Sequence, residues 1–313
     1  MKTFFTGSRE IYGPKLRGLT QRKAMDDETV LQEKDKILDR FSDHFDQLLN
    51  NPRDLSEEAK EALVQQSVVW RLDEPPNFDE LMSSAIRTTQ DVKAPGRDGI
   101  PAEVLWNFGG VQLTNCLYKL IQEIWECPEN TWRLEGCKHC VFVQERWQEG
   151  LWKLRSISQL ATNCKIHSRV LLNRRSEHIS QNVQLPETQY GFRSGRSTMD
   201  LIFCLKQVQE KSIEQNMSLY VVFIDFSKAF DIVSRQGLWQ VLKKYGCTEK
   251  FVSLIEALHT GMQANVAMCG SVSTDFSESN GVKQGCVLAP TVFSLYLAAC
   301  LRWPSKTLQG VCI

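Results

Sequence analysis

The chain has 313 residues, 42% hydrophobic and 24% charged, with a formal net charge of zero. That length and balance suit one large domain or two smaller ones with a sizeable core. They exclude a membrane-spanning segment, since no apolar run approaches the ~18 residues such a helix needs, and the global charge singles out no nucleic-acid partner. Locally the stretch from Arg133 to Lys211 carries an excess of basic residues, while the chain before Gln90 leans acidic, an asymmetry of the kind that marks a phosphate-binding face. The cysteines are scattered, and Met1-Lys2-Thr3-Phe4-Phe5 opens no sustained apolar stretch, so reduced thiols and an intracellular location, cytoplasmic or nuclear, are expected. Cys137-Lys138-His139-Cys140 is a lone C-x-x-C without the second pair that a zinc site needs.

In chain order, Leu31 to Asn50 reads as an amphipathic helix, with Leu38, Phe41, Phe45, Leu48 and Leu49 at helical spacing and Asn51-Pro52 as its stop. Ser56-Glu57-Glu58-Ala59 starts a short helix with an acidic first turn, and after Pro75-Pro76 a helical pattern resumes from Asn77 to Thr88. The turn cluster from Lys93 to Glu103 opens a helix running to Trp125. A basic helix is expected over Lys165–Ile179 with Ile166, Val170 and Leu171 on one face. A Gly- and Arg-rich loop covers Tyr190–Ser197, and a helix follows to about Ser212. Leu219-Tyr220-Val221-Val222-Phe223-Ile224 is short, apolar and β-branched, so a buried strand ending in Asp225 is expected. Helices are expected again over Leu238–Tyr245 and Phe251–His259, a β-hairpin over Met262–Phe276 around Gly270, and an apolar helix from Ala289 to Leu301.

The residues that carry chemistry begin with Phe223-Ile224-Asp225-Phe226-Ser227-Lys228-Ala229-Phe230-Asp231. A carboxylate at the end of a buried strand is costly unless something offsets its charge. A divalent cation does so, and two-metal nucleotidyl transfer uses such carboxylates; a helix cap or turn is the other reading of an Asp there. A second element is Asn280-Gly281-Val282-Lys283-Gln284-Gly285-Cys286-Val287-Leu288-Ala289-Pro290, where glycine allows special dihedrals and Gln284 offers both a donor and an acceptor.

Both elements resemble palm motifs of reverse transcriptases from non-LTR retrotransposons. Lys93–Pro101 is similar to the segment that opens that domain, and Leu185–Asp200 to its fingers-to-palm loop. Group II intron enzymes resemble it less in wording. The resemblance runs from about Lys93 to Leu301 and implies an α+β fold: a helical N-terminal segment (residues 1–90) acting as a linker or adaptor, then fingers and a partial palm of a right-hand polymerase (residues 91–313), with the thumb absent. It implies RNA-directed DNA synthesis with Mg²⁺, an RNA template, a DNA primer and deoxynucleotides. Asp225 becomes a metal ligand and Phe230 the aromatic side chain that crowds the sugar 2′ position. Gln284 and Gly285 lie beside the template base and incoming nucleotide. Arg193 and Arg196 become phosphate-backbone contacts. Asp231 belongs to the motif without a metal assigned to it.

Two departures bear on activity. Leu154-Arg155-Ser156-Ile157-Ser158 keeps the Arg of the family's aromatic-Arg-Gly-Ile-Ser sequence, which makes Arg155 the triphosphate contact, but lacks the aromatic and the Gly. The block from Lys138 to Lys153 does not resemble the family, an abruptness that fits two compensating frameshifts and implies poor packing around Trp147 and Trp152. The family's aromatic-Ala-Asp-Asp turn, which supplies the remaining carboxylates, does not occur, and no Asp or Glu follows Glu278. The chain is therefore expected to be a truncated domain, inactive as it stands. A non-catalytic nucleic-acid-binding remnant and a pseudogene product without a role are the alternatives.

Overall fold

The computed structural model describes residues 22–23, 30–31, 33–51, 54–86, 96, 98–104, 110–134, 139–142, 158, 160–182, 185–268 and 271–307. The main helices are α1 (Lys34–Asn50), α2 (Glu57–Glu61), α3 (Phe78–Glu80, continued by a wider turn over Leu81–Ile86), α4 (Gly110–Glu126), α5 (Thr162–Asn182), α6 (Thr198–Glu214), α7 (Arg235–Lys244), α8 (Glu249–Ala257) and α9 (Ala289–Thr307). Short 3₁₀ helices cover Trp70–Asp73 and Pro128–Leu134. Arg22–Lys23 (β1) and Val30–Leu31 (β2) form a small antiparallel pair. The larger sheet is built on Gln263–Met268 (β4), which pairs in parallel with His139–Phe142 (β3) and antiparallel with both Ser271–Val272 (β5) and Phe276–Ser277 (β6). The mixture of many helices and a small sheet agrees with the expected α+β class.

Helix starts follow capping chemistry. Ser197 and Asp200 form a reciprocal capping box on α6, while the Ser234 and Thr248 hydroxyls accept from the third residue of α7 and α8. Two apolar cores result. In the first, Ile121 and Trp125 of α4, Ile166 and Val170 of α5, and buried faces of α7, α8 and α9 close on one another. In the second, Phe41, Phe45 and Leu49 of α1 lie on Ala264 and Val266 of β4. The C-terminal end of α1 is also tied to a distant loop, for the Leu49 carbonyl accepts from the Asn280 amide at 2.9 Å. The Asn50 side chain accepts from the Ser279 amide.

The expected hairpin over Met262–Phe276 is present as β4 and β5, with β6 joining the same edge of β4 farther along. Part of the unfamiliar block, His139–Phe142, makes a four-residue parallel ladder with β4, while Trp147 and Trp152 lie outside the described residues. The expectation of a buried strand at Leu219–Ile224 is overturned. The segment forms no strand, and Tyr220, Val222, Phe223 and Ile224 are 91, 81, 82 and 71% exposed. A β-branched run is buried only when another strand and a covering layer reach it, and no strand among the described residues pairs with this one.

α5 carries an unusual load on its inward face. His167 is fully buried, edge-on to Trp125, and neither ring nitrogen has a hydrogen-bond partner among the described residues. Burial drives its pKa down from 6.5 to about 4, so the imidazole is neutral in the fold. Because the unfolded chain takes up this proton first, stability is complete above pH ~6.5 and falls between there and pH 4, by roughly 3 kcal/mol from this residue. Urea unfolding of His167→Leu at pH 7 and pH 4 should show a smaller acid loss than the parent by about that amount. Equal losses in the two proteins would show that His167 is protonated in the fold.

Candidate active site

The segment after the exposed run turns sharply at Lys228, whose φ is +56°, and Lys228 sets its ammonium 5.3 Å from the Phe45 ring of α1. From Phe230 onward the chain is gripped by the Asn280–Gly285 loop. The Val282 amide donates to the Phe230 carbonyl at 2.9 Å and the Gly281 amide to the Val233 carbonyl at 2.8 Å. Gly281 has φ +82°, and a Cβ there would stand 2.8 Å from the Asp231 carbonyl oxygen, so only glycine fits. The Gln284 side-chain amide donates to Asp231 Oδ1 at 2.8 Å, and Asp231 is buried. The Gln284 main-chain carbonyl accepts from the Ser158 amide at 2.7 Å. Gly285, at φ +117°, lies so close to Ser158 that a Cβ would meet its carbonyl oxygen at 2.7 Å.

Two further segments close the cluster. Gly96 backs onto Ala161, where a Cβ would fall 2.6 Å from the Ala161 Cα, and the Thr162 hydroxyl donates to the Ile100 carbonyl at 2.9 Å. Phe230 is stacked on Phe293 of α9 with centroids 4.4 Å apart, and Phe192 meets it edge-on at 6.0 Å. Gly96 and Ile100, Ser158, Ala161 and Thr162, the Leu185–Ser197 loop, the Phe230–Asp231 turn and the Asn280–Gly285 loop are thus joined directly or one through the next.

The sequence-based site residues divide accordingly. Phe230, Gln284 and Gly285 belong to this cluster. Asp225 is exposed on the preceding coil. Arg155 lies outside the described residues, three positions before Ser158. Arg193 and Arg196 are both turned onto Glu187, and Arg193 also donates to the Pro186 carbonyl at 3.1 Å. The Arg196 guanidinium stands 5.4 Å from the Tyr190 ring. Their cationic heads are therefore partly neutralised within their own loop, a feature the basic count had missed because Glu187 lies outside any helical register with them.

Two roles escaped the sequence reading. Asp231 serves as the acceptor that fixes Gln284. Arg235, at the start of α7, is buried and donates to the carbonyls of Gly281, His259 and Glu278 at 3.0, 2.9 and 2.8 Å, and to the Met262 sulfur at 3.1 Å. Burial lowers its pKa to about 10 against the opposing pull of Glu278, so it stays charged at neutral pH and anchors the loop from below. A two-ion clamp needs several carboxylates. The described residues gather no group of three or more Asp, Glu, His or Cys able to hold a metal, so they do not fit such a clamp.

A profile of the family described as "Reverse transcriptase (RNA-dependent DNA polymerase)" matches residues 148–313. The chain belongs to that family. Among curated proteins it is 26% identical over 298 residues to the "Transposon TX1 uncharacterized 149 kDa protein" of Xenopus laevis, covering 91% of this chain and 22% of that protein. It is 30% identical over 146 residues to the "RNA-directed DNA polymerase from mobile element jockey" of Drosophila funebris, covering 46% and 16%. A type-2 retrotransposable element R2DM polyprotein of Drosophila melanogaster is 28% identical over 124 residues, covering 40% and 12%. The domain is thus of the non-LTR retrotransposon kind, and the chain spans less than a quarter of the length of each of these relatives. No helix among the described residues is long and apolar enough to cross a membrane.

Proposed function

We propose that this chain contributes the fingers and part of the palm to RNA-directed DNA synthesis, with residues 1–90 as a helical adaptor and 91–313 as the polymerase portion. The observation that carries this reading is the convergence of the family's separated motifs on one cluster, with Gln284 bonded to Asp231 and Gly285 packed on Ser158. In this reading an RNA template and DNA primer are the partners and deoxynucleotides the substrates. Gly285 lets the main chain approach the nascent base pair closely. Gln284 is held by Asp231 so that its amide cannot swing, and Phe230 is wedged between Phe192 and Phe293 as a fixed wall beside the sugar. Arg155 takes the triphosphate. Arg193 and Arg196 meet backbone phosphates once these displace Glu187, a sequence-independent contact. Asp225 would be one carboxylate toward Mg²⁺, the ion the family uses, and alone it does not make a two-ion clamp.

The 313 residues contain no aromatic-Ala-Asp-Asp turn, and the described residues assemble no metal cluster. The polypeptide of this sequence, purified alone, should therefore not extend a DNA primer on an RNA template with Mg²⁺ or Mn²⁺. Extension that disappears in Asp225→Ala would overturn this and require a carboxylate donor not recognised here. Salt-sensitive RNA binding without extension is the outcome that favours a binding remnant, since phosphate contacts release counterions.

A further inference from the structure

Lys283 stands in the middle of the Asn280–Gly285 loop and is only 2% exposed. Its ammonium makes no hydrogen bond or ion pair among the described residues. The carboxylates of the same cluster are engaged elsewhere: Asp231 Oδ1 accepts from Gln284, and Glu278 faces Arg235 at 3.7 Å. No Asp or Glu lies between Ser279 and Thr307, so α9 brings none. The backbone around Lys283 is also fixed. The Val282 amide holds the Phe230 carbonyl, the Gln284 carbonyl takes the Ser158 amide, and the Cys286 amide donates to the Lys283 carbonyl at 3.0 Å. The loop cannot turn this lysine outward without losing those bonds.

An ordinary lysine lays its stem on apolar ground and leaves its head in water. Here the head is almost wholly covered as well. Unlike Lys228, whose Nζ is fully enclosed, Lys283 Nζ keeps a narrow opening to the outside. Water reaches its three N–H donors only through that opening, and a cation held in this way costs stability unless an anion meets it. The next two residues, Gln284 and Gly285, are half-buried and exposed, so the loop comes to the molecular surface directly after Lys283.

We propose that Lys283 is a phosphate-binding residue, whose ammonium takes one anionic oxygen of a phosphate that docks at this loop. The inference rests on the polymerase reading above, in which nucleotide and template meet at Gln284 and Gly285. A phosphate suits the geometry because a compact ammonium with rotatable donors binds a tetrahedral oxyanion as a point charge, without the planar match that a guanidinium needs. Lys283 differs in this from Arg193 and Arg196, which lie on an outer loop and are already turned onto Glu187. The phosphate comes either from the triphosphate of a deoxynucleotide or from the backbone of a nucleic-acid strand.

Two binding measurements on the full 313-residue chain separate these sources: fluorescence anisotropy with a labelled single-stranded RNA, and equilibrium dialysis with deoxythymidine triphosphate. Lys283→Met keeps a similar stem and removes the charge. It should weaken binding of at least one probe by about tenfold or more, as expected for losing a hydrogen bond to a charged group. Its thermal midpoint should equal or exceed the parent's, because an uncompensated cation has gone. Lys283→Arg, which keeps the charge, should retain more affinity for the same probe. A loss confined to the triphosphate assigns the phosphate to the nucleotide. A loss confined to RNA assigns it to the strand, and the slope of log affinity against log salt then falls by about 0.7, as for one phosphate contact on a single strand. A loss for both places Lys283 where the two meet. A parent that binds a probe and a Met variant that binds it equally well overturn the proposal and leave the polymerase reading standing, whereas a parent that binds neither probe overturns both. A lower midpoint in Lys283→Met shows a lysine that holds the fold together, and overturns the proposal too.

Discussion

Arg235→Met should lower the stability of this chain by about 3–5 kcal/mol, the range seen when one partner of a buried charged network is removed. Methionine fills similar volume, so the loss isolates the polar contacts. It strands the carbonyls of His259, Glu278 and Gly281, each now bonded to the guanidinium, and leaves the Glu278 carboxylate, 3.7 Å from Arg235, buried beside them without that cation. A buried acceptor left without a donor costs on the order of 1–3 kcal/mol. The measurement is a urea midpoint at constant slope. A loss under about 1 kcal/mol would show that water reaches these carbonyls. Arg235→Lys should recover only part, because a single ammonium cannot span three carbonyls and a carboxylate as a planar fork does.

Arg175→Leu should act in the opposite direction and raise stability by about 1–4 kcal/mol, the gain found when buried ions are replaced by apolar side chains. The two adjacent arginines of α5 make the case. Arg174 is satisfied: it grips Glu80 with Nε and Nη2 at 2.7 and 2.8 Å and lies 4.7 Å from the Trp125 ring. Arg175 is fully buried, and its Nε, Nη1 and Nη2 have no hydrogen-bond partner among the described residues. Burial lowers its pKa, with Cys247 and Tyr245 close enough to act against that shift. It stands four residues after Leu171 on the inward stripe of α5, a position whose neighbours are apolar. Calorimetry should show a higher melting temperature for Arg175→Leu, by several degrees. A lower one would mean that an acceptor reaches the guanidinium after all.

Helices were the legible part of this fold. The pattern over Leu31–Asn50 became α1, and Ile166, Val170 and Leu171 occupy the buried side of α5 as their spacing requires. Periodicity reports which face turns inward, and it also places Arg175 inward; residue type argues the reverse, and type prevails in any reading from composition. Leu219–Ile224 failed for a different reason. Its residues favour a strand, yet burial is conferred by neighbours, and a run of six carries no information about whether another strand arrives. The site was legible as separate motifs and not as an assembly. Nothing in the string Asp225–Asp231 says that Asp231, rather than Asp225, is the carboxylate bound to Gln284, because the two meet across 53 positions of sequence. Arg235 was unreadable on the same ground: a charged residue in the first turn of a helix looks solvated until the loop that covers it is known.

The glycine contacts also constrain motion. At Gly96, Gly281 and Gly285 main chain rests on main chain with no side chain between to act as a compressible pad. Side chains let packed elements slide by changing rotamers, whereas two backbones in direct contact can only separate or travel together. The Asn280–Gly285 loop, the Phe230–Asp231 turn and Ser158 therefore form one stiff block, clamped from beneath by Arg235. Any relative movement has to come from parts outside that block, and the exposed arginine loop meets it at the Phe192–Phe230 edge while Leu185 at its root is buried in the main core.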